Sequence, residues 1–198
     1  MNFRFIVLIT IISLLSGCSV FGPVKGPTKT YVINTVPCAV HTKSKSATTL
    51  LVSAIESNAA YDTTQMVYSE HPYQFAYFAK NSWAETPAQM LQPLIVQTLQ
   101  NTHHFHAVTT SHSLAKVNYV LNTQLIELKQ VFSPCKSEVH LKLRVQIMSA
   151  ANFHIVATKE ICVIEPAPQR NPYGGVVAAN KAVANALSQL ADFCLRTI

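Results

Sequence analysis

The chain has 198 residues, 49% of them hydrophobic and 12% charged, with a formal net charge of +6. That is enough chain to bury one good core, and too apolar a composition for a disordered polypeptide. Its lysines and arginines are scattered rather than run together, which reads as a solvated surface, the alternative being attraction to anionic lipid or an acidic partner.

The first residues bear on compartment. Asn2, Phe3 and Arg4 form a short positive segment, and Phe5 to Leu15 is an apolar run broken only by Thr10 and Ser13. Such a run is too short for a good membrane span and has the length of a signal-peptide core. Leu15-Ser16-Gly17-Cys18 follows and resembles the bacterial lipobox. The expectation is a signal peptide at 1–17, cleaved once the thiol of Cys18 is diacylated. Each buried methylene contributes about 0.8 kcal/mol, so a terminus with two or more acyl chains is stably anchored. Ser19 stands where an Asp would favour retention in the inner membrane, which points to the outer membrane and its periplasmic face. Residues 18–29 carry two glycines, two prolines and two lysines and read as a flexible tether. The domain is then 30–198. Nucleic acid is not a partner in that compartment. No second apolar span follows.

Beyond Cys18 the cysteines are Cys38, Cys135, Cys162 and Cys194. An even number in an oxidising compartment suggests up to two disulfides, with three pairings open. No CxxC occurs, so neither a redox motif nor a thiolate zinc site has support.

Along the domain, Tyr31 to Val36, Leu50 to Ile55, Met66 to Tyr68 and Tyr73 to Phe78 are strand candidates. Thr86-Pro87-Ala88-Gln89 opens a helix with capping-box spacing and proline in the first turn. Met90, Leu91, Leu94, Ile95, Thr98 and Leu99 mark its buried face. Pro93 predicts a kink or a late start. Val117 to Leu128 is a long mixed strand. Val139, Leu141, Leu143, Val145 and Ile147 alternate with polar residues, so that strand has one face in the core. A hairpin turn at Ser149-Ala150-Ala151 would pair Ile147 with Phe153, Val145 with Ile155 and Val139 with Ile161, leaving His140 opposite Glu160. In that register Cys135 lies on the core face and Cys162 on the outer face, and they do not bridge. A final helix is expected from about Val176 to Cys194. The whole reads as α+β: a mainly antiparallel sheet with two helices packed on one face.

Catalytic chemistry finds little support. His103, His104 and His106 cluster where the first helix ends, but imidazoles there suit the carbonyl end of a helix dipole and lack an acidic partner nearby. No GxSxG motif or paired acids occur. Gly174-Gly175 reads as a loop breaker before the last helix rather than an anion site. No cofactor, metal or enzymatic activity is expected. The aromatic stretch Tyr68, Tyr73, Phe75, Tyr77, Phe78 and Trp83 is the candidate surface. Alternation puts Tyr73, Phe75 and Tyr77 on one face, and Phe78 on the other. Phe78 is therefore the expected docking residue, with Trp83 either in the core or against a partner.

Several segments together resemble the ABC-type transport auxiliary lipoproteins, the family that includes paraquat-inducible protein C. They are Tyr61-Asp62, Met66-Val67-Tyr68, Asn81-Ser82-Trp83-Ala84-Glu85-Thr86-Pro87-Ala88-Gln89-Met90-Leu91, Pro93-Leu94-Ile95, and Ala178-Ala179-Asn180-Lys181-Ala182. The resemblance spans essentially the whole mature chain. It implies a periplasmic domain without catalytic residues, working beside an MCE-type transporter of lipids or other hydrophobic compounds. The implied partner is the MCE-domain protein of that system; assembly with further copies of itself is left open. The alternative is a free-standing structural or assembly lipoprotein of the outer membrane.

Overall fold

A computed structural model describes residues 29–38, 45–111 and 116–198. The signal peptide, Cys18 and most of the tether lie outside these residues. Within them the chain forms β1 (Lys29–Tyr31), β2 (Thr49–Val52), β3 (Glu56–Ser57), β4 (Gln65–Ser69), β5 (Ala76–Trp83), α1 (Pro87–Asn101), β6 (Ala107–Thr109), β7 (Tyr119–Phe132), β8 (Ser137–Ser149), β9 (Ile155–Pro166) and α2 (Pro172–Thr197).

The 14-residue β7 is the spine of the sheet. On one side it pairs antiparallel with β8, which pairs antiparallel with β9. On the other side β2, β3 and β4 take successive stretches of β7, all in parallel. β6 joins β2 in parallel, β5 joins β4 antiparallel, and β1 joins β5 in parallel. The α+β class is as expected, and the sheet is mixed rather than mainly antiparallel. Periodicity finds a strand but not its neighbour, so the parallel pairings of these short strands were invisible in the sequence.

Both helices cover one face and share a single core with the sheet. The alternating residues Val139 to Ile147 of β8 are all buried. In β7 the buried set runs Leu121, Thr123, Leu125 and then shifts to Leu128 and Gln130, because the register shifts between Leu125 and Glu127. That irregularity re-aims the second half of the strand.

The β8–β9 hairpin slips from the expected register. Val145 faces Lys159 and Leu143 faces Ile161. The connection is longer than the predicted turn: Ser149 N–H donates to the His154 carbonyl, and Phe153 adopts φ 59°. A further irregularity between Ile147 and Met148 absorbs one residue. The slip keeps parity, so Ile161 stays in the core. It places Glu160 opposite Arg144, 2.7 Å from its Nη2, and 3.5 Å from Lys142 Nζ. His140, expected opposite Glu160, faces Ile164 and lies 3.1 Å from Glu138.

The capping box of α1 forms: Gln89 N–H donates to Thr86 Oγ1, and Thr86 N–H donates to Gln89 Oε1 at 3.0 Å. The helix starts at Pro87 and runs unbroken through Pro93, without the late start predicted from that residue. Helix α2 begins at Pro172, four residues before the predicted Val176, with Asn171 as its cap. Gly174 and Gly175 are therefore in its first turn, not a breaker before it. Both are there for space. A Cβ on Gly174 would collide with the backbone of Gln169, and one on Gly175 with the Gln130 amide. That amide is buried and held, its Nε2 donating to Ser137 Oγ and to the Asn171 carbonyl, each at 3.1 Å.

Candidate functional surfaces at the two ends of the sheet

The registers define two ends. Where β7 finishes, β4 ends at Ser69, β5 starts at Ala76, β9 ends at Pro166 and α2 starts. β1 runs parallel to β5, from Lys29 beside Asn81 to Tyr31 beside Trp83, so the chain comes into the domain from this same end. At the other end lie the start of β7, the β8–β9 hairpin tip, and Ile198, whose carbonyl is 3.2 Å from His104 Nε2.

At the first end, the loop between β4 and β5 presents Tyr73, fully exposed and at φ 63°, and Phe75, which is half exposed. A bulky residue at positive φ is strained and persists only where its surroundings hold it. Here Ser69 holds it: its hydroxyl lies 2.6 Å from the Gln74 carbonyl and 2.9 Å from that of His71. Beneath the loop, Phe78 stacks on Tyr68 at 4.4 Å, and both meet Phe132 edge-on. The expected order of exposure is thus reversed for these rings. β5 starts at Ala76, so positions 73 and 75 belong to a loop where strand alternation does not apply, and Phe78 is half-buried. Trp83 is 6% exposed and part of the core. Its backbone N–H donates to the Thr64 carbonyl at 2.7 Å.

Beside this loop β1, β5 and the start of α2 enclose an open cleft of about 370 Å³, lined by Lys29, Tyr31, Lys80, Asn81, Asn171, Pro172 and Tyr173. The Tyr31 and Tyr173 rings lie 6.1 Å apart, and Tyr31 donates to Asn81 Oδ1 at 3.4 Å. No acidic side chain lines the cleft, and among the described residues neither lysine has an ion-pair partner.

The far end carries the hairpin tip, where Phe153, Ile155 and Val156 are 74%, 58% and 47% exposed. Phe153 and Ile155 were expected on the core face, opposite Ile147 and Val145. The longer turn moves them outward. The histidines are also here: His104 is buried and edge-on to Phe105 at 5.0 Å, while His103 and His106 line a separate open cleft of about 660 Å³. No group of three or more metal-ligating side chains comes together among the described residues. No helix among them is long and apolar enough to cross a membrane.

The four cysteines are free thiols in the structure. Cys135 sits in the β7–β8 turn and is exposed, not on the core face as the strand parity predicted. Cys162 is exposed on the outer face of β9, as expected. Cys194 is buried in α2, and burial pushes its thiol up to about 12, so it stays neutral and inert. Burial, then Glu127 and Tyr77, push Tyr61 to about 12 as well. Hydrogen bonds from Lys136 and His140 hold Glu138 below the usual carboxylate range, and those from Arg144, with the charge of Lys142, do the same for Glu160. These are surface pairs and a packed core, with no cleft gathering them.

The family model described as the ABC-type transport auxiliary lipoprotein component matches residues 31–192. No curated protein matches the sequence. Among solved structures, a Xanthomonas campestris protein superposes with a TM-score of 0.76 at 14% identity, covering 85% of this chain and 96% of its own. A second structure gives 0.69 at 13% identity, with 85% and 99% covered. A hypothetical protein from Chlamydia trachomatis gives 0.50 at 6% identity, with 74% and 96% covered. At these identities the likeness is one of fold.

Proposed function

The chain belongs to the ABC-type transport auxiliary lipoprotein family, and from that premise we propose that it is the outer-membrane-anchored accessory of an MCE-type system moving lipids or other hydrophobic compounds through the envelope. Its role is to dock, not to catalyse. The family match over nearly the whole domain carries this reading. The lipobox at Cys18 supplies the anchor, and the periplasmic face of the outer membrane is where the domain works.

The two-ended layout supports it. A 14-residue strand at roughly 3.3 Å per residue spans about 45 Å. The apolar hairpin tip thus stands far from the end at which the tether joins, placed to meet a protein reaching across the periplasm. Exposed apolar rings are what a partner's pocket takes up. The docking role expected of Phe78 and Trp83 is one of support in this reading, since both rings are packed under their neighbours.

The test is co-purification. The lipidated protein, drawn from detergent-solubilised envelopes, should bring down an MCE-domain protein. Phe153→Asn should lower that recovery about tenfold if the ring is a binding anchor. Asn tolerates φ 59° better than Phe, so the melt should hold or rise. Failure to recover any MCE-domain protein would favour the free-standing lipoprotein instead.

A further inference from the structure

The end of the domain at which the tether joins holds an arrangement that protein docking at the opposite end leaves unused. Lys29 is the first described residue, eleven positions after Cys18. Eleven residues reach at most about 40 Å even when fully extended. An acylated Cys18 would therefore hold Lys29 within about 40 Å of the lipid headgroups.

The side chains at this end suit that neighbour. Tyr73 is fully exposed on a loop braced by Ser69, and Phe75 and Tyr173 are half exposed. Tyrosines are enriched at bilayer interfaces, where the ring enters the headgroup layer and the hydroxyl stays wet. Lys29 and Lys80, without acidic partners among the described residues, flank the cleft behind them. Lysine beside an anionic leaflet adds attraction, and a cleft of about 370 Å³ has room for a headgroup phosphate.

We propose that this end, with Tyr73 and Phe75 as insertion points and Lys29 and Lys80 on the cleft as phosphate contacts, seats the domain on the bilayer that holds its acyl chains. The seating fixes the orientation of the domain and points the Phe153 hairpin away from the membrane. The proposal rests on acylation of Cys18.

Lipidated protein reconstituted in vesicles of phosphatidylethanolamine and phosphatidylglycerol tests it. Tyr73→Trp and Phe153→Trp are compared with doxyl-labelled phospholipid as quencher, and the signal of buried Trp83 is subtracted using the unsubstituted protein. Emission from position 73 should be at least halved, and that from position 153 little changed. Adding Lys29→Glu and Lys80→Glu to the Tyr73→Trp protein should relieve much of the quenching. Protein that floats with the vesicles while position 73 stays unquenched, or is quenched no more than position 153, overturns the seating alone. Protein that does not float with the vesicles overturns the anchor and the seating with it.

Discussion

Cys18→Ala should abolish acylation and, with it, stable attachment to the outer membrane. A single acyl chain binds membranes only marginally and two or more hold firmly, so a chain acylated at Cys18 should lose its whole anchor with that thiol. Metabolic labelling with palmitate should mark the unsubstituted protein and not the variant. Globomycin, which blocks the lipoprotein signal peptidase, should accumulate a longer precursor of the unsubstituted protein. Normal maturation of the variant and its continued fractionation with the outer membrane would refute the lipobox reading.

Trp83→Ala should be the most damaging single change within the domain. The indole is 6% exposed and contacts the core shared by the sheet and α2. Removing a buried Trp costs about 3–5 kcal/mol, a large share of the 5–15 kcal/mol typical of a folded domain. A urea melt should show the midpoint falling sharply with little change in slope, and Trp83→Phe should recover much of the loss. An unchanged midpoint would mean that the ring faces outward, toward a partner.

The same residue shows how far the sequence could be read. Trp83 leads straight into the capping box at Thr86, a local pattern that needs no tertiary information and that formed as expected, whereas the strand before it, expected over Tyr73 to Phe78, runs from Ala76 to Trp83. The strict alternation from Val139 to Ile147 likewise named a buried face correctly. What failed was set by distant geometry. The hairpin register depended on a five-residue connection and a bulge, neither of which has a signature in Ser149-Ala150-Ala151. The irregularity between Ile147 and Met148 pairs Ile155 with Met148 and leaves it exposed, where alternation had put it in the core. Tyr73 and Phe75 were misread because a strand pattern was carried three residues into a loop, and the Ser69 hydrogen bonds that hold the loop cannot be seen in a string of letters. Gly174-Gly175 looked like a breaker because glycine usually is one. The reason for it, close approach by Gln169 and Gln130, joins residues more than forty positions apart in the latter case. The parallel pairings of β2, β3 and β4 with β7 are of the same kind.

On the proposed reading, the anchored domain meets a transporter component through its far end. Site-specific photo-crosslinking in living cells tests this most directly, with a photoreactive amino acid placed at Phe153 or, as the membrane-side control, at Tyr173. An adduct is expected between position 153 and the MCE-domain protein, and none from position 173. No adduct from position 153, or equal adducts from both positions, would contradict it.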